Sequence, residues 1–370
     1  MSKDSYHKIQ EDAINLLCNL IVTPSFSKEE DITADIISRF LEEHGVVTMR
    51  IGNNIYSLNK YFDQDKPTIL LNSHHDTVKP NQQYTRDPFK AVIEDGKLFG
   101  LGSNDAGGAL VSLIAAFLFF NPIPDLKYNV VLAATAEEEI SGVNGVEALL
   151  QSKGFLQSVH VQNKDFNQWS GIVGEPTGMQ MAIAEKGLMV LDCKAYGKAG
   201  HAARNEGENA IYKAIQDIEW LCAYQFPKVS EMLGPVKLSV TVIGTENKAH
   251  NVVPPECSFV LDSRVNELYD FEEVIDILRK NLKSEIKPRS TRLRSTSIPQ
   301  DHPLVKAGLS LGRSCYGSPT TSDKALMPFP ALKLGPGESS RSHIADEYIY
   351  IEEIKEGIQL YITLLKKCLL

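Results

Sequence analysis

Four short apolar runs in this 370-residue sequence are each followed at once by side chains that bind metal ions or move protons. Thr68–Leu71 leads into Asn72-Ser-His74-His75-Asp76. Val130–Ala134 leads into Thr135-Ala-Glu137-Glu138-Glu139. Gly171–Val173 leads into Gly174-Glu175-Pro176, and Ala331–Leu334 into Gly335-Pro-Gly337 and then Ser342-His343. A fifth segment, Gly100-Leu-Gly102-Ser-Asn-Asp105-Ala-Gly-Gly108, opens an apolar helix over 109–120. Functional groups of α/β domains collect at the carboxyl ends of strands, so these five segments can meet at one place. Imidazoles and carboxylates without sulfur suit zinc or a neighbouring divalent ion. Five such groups are too many for one tetrahedral zinc with an open position. They suit two ions about 3.5–4 Å apart that share a carboxylate and a water.

Each piece taken alone has a plainer reading. A single His-x-Asp is an ordinary polar pair, and three consecutive glutamates are usually a solvated helix face. Glu137–Glu139, however, directly follow an apolar strand, where like charges repel unless a cation offsets them. Gly100-x-Gly102 resembles the start of a dinucleotide loop. Its third glycine position is Asp105, which would repel a pyrophosphate, so a nicotinamide oxidoreductase is disfavoured.

Composition narrows the field further. Lys and Arg number 38 against 47 Asp and Glu, a net charge of −9, which disfavours a nucleic-acid partner. Six cysteines stand at 18, 193, 222, 257, 315 and 368, none in a Cys-x-x-Cys spacing. A disulfide scaffold and a thiolate metal site are disfavoured, and a reducing cytoplasm fits. The apolar run 109–120 is shorter than the roughly 20 residues a membrane span needs, and the first residues carry no apolar core of a signal peptide. We therefore expect a cytoplasmic protein with no membrane and no nucleic acid among its partners.

The elements that must position these groups follow from periodicity. Helical spacing covers 8–20 and 29–44, with Ser27 and Glu30 spaced as a capping box before the second helix. The near-continuous apolar runs predict strands buried on both faces, hence a mixed, largely parallel α/β sheet. The middle of the chain alternates instead, at 191–195, 236–242 and 259–261, with helical stretches at 208–225 and 270–284 and a last strand at 293–297. That order, β-α-β-β-α-β, predicts a ferredoxin-like α+β unit over 185–295, inserted into a discontinuous domain of 1–184 and 296–370.

Taken together and in order, these segments resemble the M20 metallopeptidases, the group that includes acetylornithine deacetylase, succinyl-diaminopimelate desuccinylase and aminoacylase. The resemblance rests on Ser73-His-His-Asp-Thr-Val78, Gly102-Ser-Asn-Asp-Ala-Gly-Gly108, Thr135-Ala-Glu-Glu-Glu139, Val173-Gly-Glu-Pro-Thr177, Gly200-His-Ala202, Asn251-Val-Val-Pro254, Asp262-Ser-Arg264 and Gly335-Pro-Gly337 with His343. It implies a zinc-peptidase-like catalytic domain with an inserted dimerisation or lid domain. It implies two Zn2+ per subunit, with Co2+ or Mn2+ as substitutes. His74 and Glu175 would hold one ion, Glu139 and His343 the other, and Asp105 would bridge them. Asp76 would orient His74, Glu138 would be the general base, and His75 would serve packing. Glu137 stands where relatives often carry Asp. His201, otherwise a surface histidine, becomes the oxyanion donor, and Asn251 and Arg264 become contacts for the substrate carboxylate.

The implied function is zinc-dependent hydrolysis of a small N-acyl amino acid by a homodimer, with His201 acting in the partner's site. N-acetylornithine is the first expectation for the substrate. N-acetylcitrulline, N-succinyl amino acids, succinyl-diaminopimelate and dipeptides are the alternatives. A non-catalytic amino-acid-binding relative is the rival of a different class.

Overall fold

The computed structural model describes residues 3–204 and 206–370 and divides the chain into two compact units. One comprises Met1–Ile183, Ser297–Tyr316 and Ser322–Leu370; the other comprises Ala184–Thr296 and Gly317–Thr321.

The first unit is built on a mixed sheet whose centre is four parallel strands, in the order Asn129–Thr135, Thr68–His74, Trp169–Val173 and Ala331–Lys333. Asn54–Leu58 and Met181–Glu185 flank them antiparallel. Every residue of Thr68–His74 and Asn129–Thr135 is buried, because both faces of the sheet are covered. Helix α1 is Lys3–Ile21, α2 is Asp31–Glu43 and α3 is Gly108–Phe120. Helix α3 packs against the central strands and between α1 and the last helix, Ile351–Leu369. It is apolar all round and only Phe119 escapes burial, as a core helix requires. The stretch Ser103–Phe120 is apolar enough by composition to cross a membrane, yet 89% of it is buried inside the protein. On the opposite face, Leu70, Val131, Trp169 and Ala331 pack against Leu149, Phe155 and Phe166.

The second unit is a four-stranded antiparallel sheet in the order Lys237–Gly244, Glu256–Val265, Gly187–Tyr196 and Glu285–Pro288. Met189, Leu191, Cys193 and Ala195 alternate inward against the helices Ala210–Ala223 and Phe271–Asn281. The connectivity is the expected β-α-β-β-α-β. The fourth strand, however, is Glu285–Pro288 and not 293–297. Only Ile286 in that strand turns inward, too little alternation to register as a pattern. Thr296–Ser297 pairs in the large sheet instead.

The proposed capping box is also absent. Helix α2 starts at Asp31, with Glu30 as its N-cap and no side-chain capping bond. Ser27 and Glu30 are turned towards other partners, described below.

A candidate metal centre at the strand ends

The parallel strands end together, and the segments that follow them converge. His74 is the last residue of its strand and is fully buried. Its Nδ1 donates to the main-chain carbonyl of Asp76 at 3.0 Å, which fixes the ring and turns Nε2 outward. That Nε2 lies 3.3 Å from Oδ1 of Asp105 and 3.9 Å from Oε1 of Glu175. On the other side, His343 Nε2 lies 3.0 and 3.2 Å from the oxygens of Glu139 and 3.8 Å from Oδ2 of Asp105. Two groups result, His74–Asp105–Glu175 and Asp105–Glu139–His343, each with its ligand atoms within 4.8 Å of one another. Asp105 belongs to both and faces one with each oxygen.

This donor set has the chemistry of a two-cation site. Its carboxylates crowd together, with imidazoles as the neighbouring bases. Burial, followed by the charge of Glu175, pushes the Glu138 carboxyl well above its usual range. A pair of divalent ions would relieve that crowding. Glu138 itself is partly exposed and next to Glu139 in a single 3-10 turn, so it borders the site while the neighbouring side chain points at His343.

The turn Glu137–Glu139 is held through its backbone. Glu137 adopts left-handed angles, φ 55°, and the N–H groups of 137, 138 and 139 point at carboxylates. Asp76 accepts from Glu138 N at 3.0 Å and Glu139 N at 3.1 Å, and from the Ser27 hydroxyl at 2.7 Å. Burial raises the Asp76 carboxyl, but His74 and these donors outweigh it and hold the group below the usual range. Asp76 thus ties His74 to the turn carrying Glu138; its carboxylate oxygen is 3.4 Å from His74 Nδ1, farther than its own carbonyl. His75 points elsewhere. Its Nε2 meets the Asn53 carbonyl at 2.9 Å and its Nδ1 the Thr33 hydroxyl at 2.9 Å, and burial lowers its pKa.

Gly174 lets Glu175 come close. A Cβ there would sit 2.7 Å from Leu113 and 3.1 Å from Ser73, so only glycine allows this strand end to lie against α3.

Three further residues support the site, and none of them has a role assigned from the sequence. Glu347 is buried and accepts from the N–H groups of Gly102, Asn104 and Asp105, at 3.1, 2.8 and 2.9 Å. It shapes the loop that presents Asp105. Asn104 exchanges two 3.0 Å bonds with the backbone of Glu338, pinning that loop to the one that leads to His343. Asp323 accepts from Asn72 Nδ2 at 3.0 Å and Thr135 Oγ1 at 2.8 Å, joining the ends of two parallel strands. Burial raises its pKa to about 6. Glu347 and Asp323 are indistinguishable by spacing from solvated residues, whereas Asn104 sits inside the Gly102–Gly108 segment.

In the second unit, Gly200–His201 pairs with Val252–Val253, and the Ala202 N–H donates to the Asn251 carbonyl at 2.9 Å. His201 and Asn251 are therefore neighbours, both exposed. The Ala203 N–H donates to His201 Nδ1 at 3.1 Å, which leaves the proton of the neutral ring on Nε2. Arg264 is not with them. It forks onto Asp262 at 2.8 and 3.1 Å and pairs in register with Leu188.

A model of the peptidase family M20/M25/M40 matches residues 70–367. The chain belongs to that family. Among curated relatives, this M20 chain is 28% identical to succinyl-diaminopimelate desuccinylase 2 of Ruegeria sp. (strain TM1040), over 74% of the chain and 70% of the relative. It is 26% identical to acetylornithine deacetylase of Buchnera aphidicola subsp. Schizaphis graminum, over 98% and 97%. Among solved structures, it superposes with a TM-score of 0.73 and 19% identity on an M20 family metallo-carboxypeptidase from Sulfolobus solfataricus, covering 96% and 98% of the two chains. A dinuclear metal binding M20 peptidase from Bacillus subtilis gives a TM-score of 0.66 and 17% identity, covering 97% and 98%. The chain has the M20 fold and is a hydrolase of that family.

Proposed function

We propose that this M20 chain is a two-metal amidohydrolase that releases a free amino acid from a small N-acyl amino acid. The observation that carries the reading is Asp105, whose two oxygens face two separate ligand groups beside Glu138. His74, Asp105 and Glu175 would hold one divalent ion and Asp105, Glu139 and His343 the other. When bound, the ions supply Lewis-acid polarisation of the scissile carbonyl and of the attacking water. Glu138 takes the proton of that water and hands it to the leaving amine. His201 donates from Nε2 to the oxygen that gains charge, and Asn251 and Arg264 receive the substrate carboxylate.

The second unit bears on how many chains make a site. Arg264 lies eight residues along its strand from Glu256, roughly 26 Å at about 3.3 Å per residue. His201 and Asn251 lie at the Glu256 end. That separation along the strand supports a homodimer in which His201 and Asn251 serve the partner's site. The edge strand Lys237–Gly244, with Val242 58% and Ile243 51% exposed, offers the surface for it.

Relatives named succinyl-diaminopimelate desuccinylase and acetylornithine deacetylase support succinyl-diaminopimelate and N-acetylornithine as the leading substrates. Six free cysteines agree with a cytoplasmic setting. The test is a turnover screen of N-succinyl- and N-acetyl-ornithine, the matching citrullines, succinyl-diaminopimelate and dipeptides, alongside metal analysis. Two ions per chain and amide hydrolysis support the reading. A metal-free protein, or one that binds amino acids without turnover, overturns it.

A further inference from the structure

The segment Ser25–Thr33 precedes the part of the chain that matches the family and runs beside the strand end His74–Thr77. Thr77 N donates to the Ser25 carbonyl at 2.8 Å, Ser27 to Asp76 at 2.7 Å, and Thr33 faces His75 at 2.9 Å. Glu30 reaches further. It is fully buried and accepts three bonds. Its Oε1 takes Lys28 N at 2.7 Å and Glu137 N at 3.1 Å, and its Oε2 takes Asn53 Nδ2 at 2.8 Å.

Three successive N–H groups around a left-handed residue form a concave anion receptor. In the turn Glu137–Glu139 that receptor is filled by two carboxylates, Glu30 at the first N–H and Asp76 at the next two. The Glu139 side chain must point at His343 and the Glu138 side chain must stay free of that group. Which of the two does which depends on the rotation of the turn, and a carboxylate at each end fixes that rotation.

We propose that Glu30 is a positioning residue for the Glu137–Glu139 turn, setting the division of labour between Glu138 and Glu139. It touches neither substrate nor metal ligand side chain. The inference rests on the two-metal reading above, and it makes a selective claim. Loss of Glu30 should disturb the ligand group that contains Glu139 and spare His74–Asp105–Glu175.

The experiment is metal titration of the metal-stripped full-length chain with Zn2+, with the visible spectrum of the Co2+-loaded protein and with kcat and KM. Glu30→Ala removes the acceptor of three donors, of which the Glu137 N–H is buried. One of the two binding steps should weaken by about 10–100-fold, the usual effect of removing an outer support, while the other holds. The Co2+ bands should shift, and kcat should fall by a similar factor with KM nearly constant. Glu30→Gln keeps an oxygen at the Oε1 position and should recover most of both losses. Ile37→Ala, a cavity in the same helix at a fully buried position, is the control for lost stability alone. Two unchanged binding steps in Glu30→Ala would overturn the proposal. So would losses equal in both steps, or losses matched by Ile37→Ala. If the wild-type chain binds no divalent ion, the two-metal reading itself has failed, and the wild-type titration shows that separately.

Discussion

Replacing Glu138 by glutamine removes one proton acceptor and nothing else of consequence. The turn is held by backbone bonds from residues 137, 138 and 139 to Glu30 and Asp76, none of which involves the Glu138 side chain. Glutamine has the same shape, so the turn should not move. The substitution also deletes a negative charge that burial and Glu175 make costly to keep, so Tm should hold or rise slightly. Neither ligand group contains Glu138, so both metal-binding steps should survive. The chemistry alone should suffer. A positioned general base contributes about 10²–10⁴-fold, or about 2.7–5.4 kcal/mol at about 1.36 kcal/mol per decade. The assay is steady-state hydrolysis of the best substrate from the screen, with metal content measured on the same preparation. A kcat lower by two to four decades with two ions retained is the expected result. Near-normal kcat refutes the assignment of the base. Loss of an ion instead moves Glu138 into the ligand set and refutes the geometry of the site.

Asp105→Ala should weaken both ion-binding steps, whereas His343→Ala should weaken one; equilibrium titration with Zn2+ separates them. Asp323→Ala should leave Asn72 Nδ2 without its acceptor and Thr135 Oγ1 with only the Ser73 carbonyl at 3.4 Å, and cost about 1–3 kcal/mol, read by chemical denaturation of the chain. His302 caps the helix Pro303–Ser310 by accepting from Leu304 N at 3.3 Å, and burial lowers its pKa below 6.5. A depressed histidine contributes stability that is present above pH 6.5 and is lost as pH falls through the folded pKa. The wild type should therefore lose more stability between pH 7.5 and 5.5 than His302→Ser, whose cap does not titrate; equal losses would refute this. Mixing inactive His201→Ala with inactive Glu138→Gln chains should restore part of the activity once subunits exchange, and no recovery after proven exchange would place His201 in its own chain's site.

Much of the catalytic unit was legible because its strands are buried on both faces. Ile69–Leu71 and Val130–Ala134 are apolar throughout, so the polar residues after each strand stand out, and those are the ones that converge. The resemblance then divided them into ligands and base. What the sequence hid were carboxylates with distant partners. Glu347 accepts from backbone N–H groups and Asp323 from side chains, each more than 180 residues away, and no spacing records such a contact. Ser27 and Glu30 have the spacing of a local capping pair, yet Ser27 bonds Asp76 and Glu30 adds Asn53 and Glu137 to its local bond from Lys28 N. The fourth strand of the second unit was displaced for a different reason. Glu285–Pro288 buries one apolar side chain, while 293–297 offers Leu293 and a Thr-Ser pair that joins the other sheet.

The shared aspartate has a consequence for biosynthesis. The first ligand group draws on residues 74, 105 and 175, all made before the second unit begins. The second group reuses 105 and 139 but waits for 343, after the second unit and its return crossing have left the ribosome. A nascent chain therefore carries the three side chains of one ligand group long before it carries those of both, but Glu338 and Glu347, which hold the Asp105 loop, arrive only with His343. Both halves of the site thus wait for the same last stretch of chain, and the completed protein joins them through a single carboxylate.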